Sequence, residues 1–184
     1  MPKKSDSIES ILKIELEMFL SVPAAQPARC QESPGAFRLT RGSVFETWSE
    51  ETLSAYLEDL TEAVAAGRNL MTEKYARMDN LIPCLNLNSK IDAIVKIETE
   101  WQKDVQRKYP YVLSGTPATG ICKAEFGVYL RSELETYSDK TIASYFCHVL
   151  NAKDRGNNLA EEKYIRIFQK LGYSSLKQAN LDLR

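Results

Sequence analysis

Apolar side chains recur along this chain at steps of three and four residues, the spacing that places them on one face of an α-helix. In the clearest helical segment they are Leu53, Tyr56, Leu57, Leu60 and Val64. A second segment repeats the pattern at Ile142, Tyr145, Phe146 and Val149. No stretch alternates apolar and polar residues for long enough to indicate a strand. The pattern predicts an all-α protein, with residues 1–184 forming a single compact helical domain.

Two segments of the chain, 45–78 and 134–167, align with each other without a gap. Residues 8–15 resemble residues 91–98 in a similar way. We infer an internal duplication, because chance alone would give far fewer identical positions. The two repeats are predicted over about 7–80 and about 89–172. They are expected to close on each other as two pseudo-symmetric helical repeats, since two units are too few for a solenoid.

Each repeat is expected to contain a second helix with a clear start and end. This helix begins at Ser49 and at Ser138, because a serine hydroxyl can accept a hydrogen bond from the free amides of the first turn. It ends at Gly67 and at Gly156, because glycine readily adopts the left-handed conformation that terminates helices. Both glycines are therefore predicted to have positive φ.

Weaker features place the other elements. The first helix of each repeat is expected to begin near Ser7 and near Ser89, and the third at Asn69 and at Asn158. The remaining predicted elements are short helices over 37–46 and 126–135, loops rich in proline and glycine over about 22–36 and 110–124, and a connecting loop over 82–88.

Charge and composition argue against several classes of protein. The net charge of −1 and the lack of a basic stripe argue against nucleic acid and anionic membranes as partners. No apolar run approaches the roughly 18 residues that span a bilayer, and the N-terminus lacks the apolar stretch of a signal peptide. We therefore expect a cytoplasmic protein, either a monomer or a homodimer, with no membrane or nucleic-acid partner.

The four cysteines, Cys30, Cys84, Cys122 and Cys147, form no C-x-x-C pair, and His148 is the only histidine. A structural zinc site needs four closely spaced thiolate or imidazole ligands, so no zinc is expected. Cys147 lies on an apolar helix face and is predicted to be a core residue. A nucleophilic Cys30 would need a base beside it, and His148 is the only imidazole available.

Some segments of the chain resemble a known family. They are the sequence GRNLMTEKYARM at 67–78, the preceding WSEE at 48–51, and RCQ at 29–31. These segments resemble a bacterial family of unknown function, the domain-of-unknown-function family four-one-two-five. The resemblance covers most of the chain and implies no activity, substrate or cofactor. The second repeat has Asn157 where the first has Arg68, so any role of that arginine belongs to the first repeat.

Two recurring glutamates, Glu15 and Glu98, interrupt the apolar stripe of the first helix in each repeat. A carboxylate in such a stripe must be paired, protonated or metal-bound, because burying it alone costs several kcal/mol. We expect at least one of the two to be buried and bonded to a cationic or hydroxyl side chain. The candidate partners are Arg77, Arg166, Tyr56 and Tyr145.

Polar residues also recur on the third helix, at Asn69, Glu73 and Arg77 and at their counterparts Asn158, Glu162 and Arg166. The step from Glu to Arg suits a surface ion pair, although a pocket is the alternative interpretation. The candidate ligand-binding residues are Arg41, Tyr56, Arg68, Glu73, Tyr75, Arg77, Glu98, Arg131, Tyr145, Glu162, Tyr164 and Arg166.

A metal site is the weaker alternative. If one exists, its ligands are Glu15, Glu73, Glu98 and Glu162, which are similar to the carboxylates of di-metal helical bundles. Those bundles use a Glu-x-x-His motif twice, and this chain has none. There is also no glycine-rich phosphate loop and no G-x-S-x-G sequence. We therefore predict no metal and no cofactor.

Three functions remain open. The first is a binding module for a small molecule or a peptide, with a polar pocket between the repeats and the two proline- and glycine-rich loops at its rim. The second is an enzyme that uses the recurring carboxylates in acid–base or metal-assisted chemistry, which a deep cavity with raised carboxyl pKa values would favour. The third is a structural or protein-interaction domain, which a closed apolar core between the repeats would favour.

Overall fold

The computed structural model describes residues 3–23, 33–114 and 125–184. Within these ranges the chain forms ten α-helices and no strand, which confirms the all-α prediction. The helices are α1 (Lys4–Leu20), α2 (Pro34–Phe45), α3 (Glu50–Ala65), α4 (Leu70–Met78), α5 (Lys90–Lys108), α6 (Pro110–Ser114), α7 (Phe126–Leu134), α8 (Asp139–Asp154), α9 (Leu159–Lys170) and α10 (Leu176–Asp182). The RCQ segment at 29–31, Cys30 and Cys122 lie outside the described residues.

The starts and ends of α3 and α8 agree with the sequence prediction. The Ser49 hydroxyl accepts a hydrogen bond from the Thr52 amide, and the Ser138 hydroxyl accepts one from Thr141. Gly67 has a φ of 68° and Gly156 a φ of 73°, so both glycines adopt the predicted left-handed conformation. The predicted short helices before α3 and α8 are also present, as α2 and α7.

Several predicted boundaries and faces were wrong. The first helix begins at Lys4, three residues before the predicted Ser7. Its counterpart α5 does begin next to Ser89 as predicted, but the Ser89 side chain makes no cap hydrogen bond. The predicted loop over 110–124 begins with α6. Val64 is 56 % exposed, because the buried face of α3 continues through Ala63 instead. Cys147 is exposed, because it projects away from the buried stripe of α8.

The helices of the N-terminal half (α1–α4) and of the C-terminal half (α5–α10) pack in corresponding ways. In the N-terminal half α1 packs on α2, α3 and α4, and in the C-terminal half α5 packs on α7, α8 and α9. Between the halves α3 packs on α8, α4 on α7 and α2 on α9. The predicted duplication and pseudo-symmetry remain predictions, and a superposition of the two halves is their test.

An aromatic cluster occupies the contact between the halves. The Trp48 ring lies 4.8 Å from the ring of Tyr145 and 6.2 Å from that of Tyr137, and the Tyr56 and Tyr137 rings are 4.6 Å apart. Rings of this size bury much apolar surface and fix the distance between the helices. In the part of the chain that the structure describes, no helix has the length and apolar character required to cross a membrane.

Candidate functional site

A buried guanidinium joins the two halves of the molecule. Arg41 on α2 donates two hydrogen bonds to Glu15 on α1, from Nε to Oε2 at 2.8 Å and from Nη2 to Oε1 at 2.5 Å. Its Nη1 also donates to Oε1 of Glu133 on α7 at 2.8 Å. Glu15 is fully buried, and Arg41 and Glu133 are nearly so. The paired geometry is that of a strong arginine–carboxylate interaction.

Lys74 completes an ion cluster that consists of Glu15, Arg41, Lys74 and Glu133. Two tyrosine hydroxyls donate hydrogen bonds to its carboxylates. The buried Lys74 Nζ donates to Glu133 Oε2 at 2.7 Å. Glu15 also accepts the hydroxyl of Tyr56 at 2.6 Å, and Glu133 accepts that of Tyr137 at 2.8 Å. The two carboxylates therefore balance the two cations, and each carboxylate has several donors. A buried charge needs such partners to be tolerated.

The cluster has clear effects on the pKa values of its members. Burial raises the pKa of Glu133, but Arg41 and Lys74 outweigh burial and hold that pKa well below its usual range. Burial lowers the pKa of Lys74, but Glu133 outweighs it, so the pKa lies above that of a free lysine. Both groups therefore remain charged at neutral pH. Burial and the nearby Glu15 carboxylate raise the pKa of Tyr56, which stays a neutral hydroxyl donor.

A cavity of about 330 Å³ lies beside the ion cluster, between α2, α5, α7, α8 and α9. Both halves of the molecule contribute to its wall. The aromatic lining residues are Trp48, Phe126, Tyr129, Tyr137, Tyr145 and Tyr164. The ionisable side chains in the lining are Arg41, Glu98, Glu133 and Lys163, and Gln102 contributes a neutral amide. The mixed lining suits a ligand with an apolar body and polar groups.

Glu98 on α5 faces this cavity and has one neutral partner. Its Oε1 accepts the hydroxyl of Tyr145, and it forms no ion pair within the described residues. Burial raises the pKa of Glu98 to about 7, although the Tyr145 hydrogen bond and the charge of Lys163 oppose the change. The side chain is half-buried and lines the cavity. Glu98 is therefore close to half-protonated at neutral pH.

Lys163 on α9 is the second ionisable group that faces the cavity without an ionic partner among the described residues. Its ammonium lies 4.4 Å from the centroid of the Tyr164 ring and 5.8 Å from that of Phe126, so aromatic faces stabilise it in part. Nearby, Gln102 donates to the Tyr164 hydroxyl at 3.0 Å. The Gln102 Oε1 atom accepts no hydrogen bond from the described residues.

Four of the residues predicted as ligand-binding line the cavity: Arg41, Glu98, Tyr145 and Tyr164. Tyr56 lies behind it in the ion cluster. The structure does not bring the other candidates to this cavity. They are Arg68 and Glu73, which pair with each other at 2.7 Å, Arg77, which pairs with Glu135 at 2.6 Å, Arg131, which pairs with Asp92, Arg166, which is 3.7 Å from Glu46, and the half-buried Tyr75 and Glu162.

The expected partners of the recurring glutamates were partly right. Tyr56 donates to Glu15 and Tyr145 donates to Glu98, as predicted. The two predicted arginine partners, Arg77 and Arg166, were wrong. The arginine that binds Glu15 is Arg41 on α2, and Arg77 and Arg166 lie near Glu135 and Glu46 instead. The expected surface pair between Glu73 and Arg77 was also wrong. Each of these side chains has a partner outside that helical step.

The structure does not assemble the four glutamates considered for a metal. Glu15 is held by Arg41 and Tyr56, and Glu73 by Arg68. Among the residues that the structure describes, no group of three or more histidine, cysteine, aspartate or glutamate side chains is arranged to hold a metal ion. The carboxylate-bundle alternative is therefore wrong for this set of residues.

Three charged residues of the site, Lys74, Lys163 and Glu133, were not predicted from the sequence. The two lysines occupy equivalent positions of the aligned segments, and this recurrence could have marked them. Glu133 does not recur, because Val44 occupies the equivalent position. Glu133 could have been noticed as a charged residue that aligns with an apolar residue when the two segments are continued upstream.

These features define an all-α protein with a buried ion cluster beside a cavity of mixed apolar and polar lining. The model of the family described as "Protein of unknown function (DUF4125)" matches residues 5–181. The chain belongs to this family. No curated protein and no solved structure matches the chain. The cavity and its side chains are therefore the basis from which a function can be inferred.

Proposed function

We propose that this protein binds a small molecule in the cavity between its two halves. The observation that carries the proposal is that Glu98 and Lys163 both face the cavity with no ionic partner among the described residues. Leaving an ionisable group without a partner inside a protein costs free energy. A bound ligand with complementary polar groups would recover that free energy.

The size and lining of the cavity favour a small molecule over a peptide. Its volume of about 330 Å³ lies at the lower end of the range that small-molecule sites occupy. The aromatic side chains offer flat apolar contact surface, and the few polar groups offer orientation. The centre of the molecule thus contains charged groups and a cavity, which supports binding over a purely structural role.

The indole of Trp48 gives a direct test, because it lines the cavity while Trp101, the other tryptophan, does not. In a Trp101→Phe background, a library of small polar aromatic and aliphatic compounds should contain members that change Trp48 emission at saturable concentrations. Ala160→Phe should fill the cavity and abolish the change while the protein stays folded by circular dichroism. No saturable change with any compound, or equal binding by Ala160→Phe, would contradict the proposal.

A second candidate function is an enzyme in which Glu98 transfers a proton. The specific observation is the pKa of about 7, which suits a general acid or base near neutral pH. Once a ligand is identified, Glu98→Gln should abolish its turnover while weakening binding much less. A ligand that is bound but never converted by the unaltered protein would exclude this function and leave the binding function in place.

We further infer a cytoplasmic location. Two exposed thiols, Cys84 and Cys147, support it, because free surface thiols persist in a reducing compartment. Fractionation of cells that produce the full-length protein tests the location directly.

A further inference from the structure

We propose that the ligand of the cavity is a zwitterion of the amino-acid class, one small molecule with both a cationic and an anionic group. Glu98 with Tyr145 would bind the cationic group, and Lys163 would bind the anionic group. This inference rests on the proposed function and adds the chemical class of the ligand. The basis for it is a comparison of the cavity with the neighbouring ion cluster.

In the ion cluster, every charged group has its partner within the chain. Glu15 accepts the Tyr56 hydroxyl at 2.6 Å and the guanidinium of Arg41 at 2.5 and 2.8 Å. Lys74 donates to the carboxylate of Glu133 at 2.7 Å. The guanidinium of Arg41 thus neutralises the Glu15–Tyr56 pair, and the carboxylate of Glu133 neutralises Lys74.

The C-terminal half contains the same glutamate–tyrosine pair and the same lysine. Glu98 occupies on α5 the place that Glu15 occupies on α1, and Tyr145 donates to it as Tyr56 donates to Glu15. The alignment that maps Ser49 onto Ser138 also maps Lys74 onto Lys163. The packing agrees with this mapping, because α4 packs on α7 as α9 packs on α2.

Glu98 and Lys163 have no counterparts of the two completing groups. The same alignment, continued upstream at the same offset, maps Arg41 onto Leu130 and Glu133 onto Val44, so an apolar side chain replaces each charged one. Leu130 and Val44 both line the cavity. The cavity is thus bordered by Leu130, where an arginine could pair with Glu98, and by Val44, where a glutamate could pair with Lys163.

A ligand with both charges satisfies this site better than a ligand with one. Lys163 is close enough to Glu98 to act on it electrostatically, so a cation bound at Glu98 alone would be repelled by the ammonium. An anion bound at Lys163 alone would be repelled by the ionised Glu98, whereas Glu133 is already paired with Arg41 and Lys74. A zwitterion compensates each group separately, and the aromatic wall accommodates its apolar stem.

The test compares 4-guanidinobutyrate and 5-aminopentanoate with analogues that contain only one charged group, butylguanidine, butylamine and butyrate. Binding is measured by calorimetry and by Trp48 emission in the Trp101→Phe background, at pH 8, where Glu98 is mostly ionised. At least one zwitterion should bind more than about tenfold tighter than every single-charge analogue. Glu98→Gln and Lys163→Gln should each remove that preference.

Matched variants control for changes of charge elsewhere. Glu100→Gln is an exposed substitution on the helix that contains Glu98, and Lys153→Gln is an exposed substitution near the end of α8. Both should leave the preference for zwitterions unchanged. The double variant Val44→Glu, Leu130→Arg supplies the two missing groups from the chain itself. It should lose zwitterion binding without a lower melting temperature.

The outcomes separate this inference from the proposed function. Single-charge analogues that bind within a factor of about ten of the zwitterions would overturn the zwitterion inference. So would a zwitterion preference that survives in both Glu98→Gln and Lys163→Gln. If other compounds bind at Trp48 and the zwitterions do not, the inference fails and the cavity remains a binding site. If nothing binds, the proposed function fails as well.

Discussion

A glutamate removed from water is stable only when cations or hydrogen-bond donors surround its carboxylate, or when it takes up a proton. Glu15 has the first kind of environment, with a guanidinium and a hydroxyl as donors. Glu98 has a hydroxyl alone, and burial raises its pKa to about 7. One aligned position accompanies the difference, because Arg41 contacts Glu15 whereas Leu130, which aligns with Arg41, lines the cavity that Glu98 faces.

This difference predicts a pH effect on stability that Glu98→Gln removes. In the unfolded chain the carboxyl pKa returns to about 4.5, so between about pH 4.5 and pH 7 the folded protein binds the extra proton. The contribution of Glu98 is therefore fully present below about pH 4.5 and is lost as the pH rises to about 7. Tyr145, Lys163 and Glu133 are the other charged or titratable groups that act on it.

Glu98→Gln should keep an acceptor for the Tyr145 hydroxyl and carry no charge at any pH. Between pH 5 and pH 8 its free energy of unfolding should rise relative to that of the unaltered protein by about 2–3 kcal/mol, an order-of-magnitude value. Urea unfolding at both pH values measures this, with the exposed Glu62→Gln as the control. Parallel stability curves for Glu98→Gln and the unaltered protein would contradict the prediction.

Removing the central guanidinium should have a large effect on stability. Arg41→Met should cost about 3–5 kcal/mol at pH 7, because Glu15 and Glu133 would lose a buried cation that both contact. Arg68→Met is the matched control, since Arg68 pairs with Glu73 near the surface, and it should cost less than about 1 kcal/mol. Urea unfolding at constant pH compares the two. Equal losses of unfolding free energy in the two variants would mean that the buried ion cluster contributes no more to stability than a surface ion pair.

At the scale of the elements, the chain contains local sequence features for most helix boundaries. Asn69 accepts a hydrogen bond from Thr72 and Asn158 accepts one from Glu161, so each of these caps is formed within four residues. Such features are readable from sequence because both partners are neighbours in the chain. The start of α1 was mispredicted because Lys3, which precedes it, provides no capping side chain.

The glycine at the end of α3 gives a prediction at this scale. A Cβ added at Gly67 would meet no atom within 4 Å, so the cost of Gly67→Ala is that of the backbone at a φ of 68°. We expect a loss of about 1 kcal/mol in the free energy of unfolding, and a smaller loss for Gly67→Asn.

Gly35 is the control, because a Cβ there also meets nothing within 4 Å but the residue lies in the first turn of α2 with no positive φ. Gly35→Ala should raise the free energy of unfolding by about 0.5–1 kcal/mol. Denaturant unfolding of the three variants measures the comparison. A neutral or stabilising Gly67→Ala would show that the left-handed conformation is not required to end α3.

At the scale of the whole molecule, the sequence predicted eight of the ten described helices, all but α6 and α10, and four cavity residues, but not the assembly of the site. Arg41, Lys74 and Glu133 lie on three different helices, and the pattern along any one helix does not specify which side chains meet across an interface. The alignment, continued a few residues upstream at the same offset, does contain the necessary comparison. Positions where a charged residue faces an apolar counterpart mark both the ion cluster and the cavity.

The reciprocal packing of the halves gives a prediction about their independence. Arg41 and Lys74 in the N-terminal half share Glu133 of the C-terminal half, and Arg77 pairs with Glu135 across the same boundary. Separating the halves would expose the central aromatic cluster and leave these cations without carboxylates. Neither half should therefore be stable alone, because the lost burial and pairing exceed the few kcal/mol that stabilise a small domain.

The experiment divides the chain between Leu85 and Asn86, in the connecting loop, where Leu85 and Leu87 are exposed. Fragments 1–85 and 86–184 should each show low helicity and no cooperative melting by circular dichroism. An equimolar mixture should recover the helicity and the cooperative transition of the intact chain, since α2 can again pack on α9 and α4 on α7. As a control, the intact chain cleaved at a protease site inserted in this loop after folding should remain associated. A fragment that melts cooperatively with full helicity on its own would show that each half is an independent folding unit.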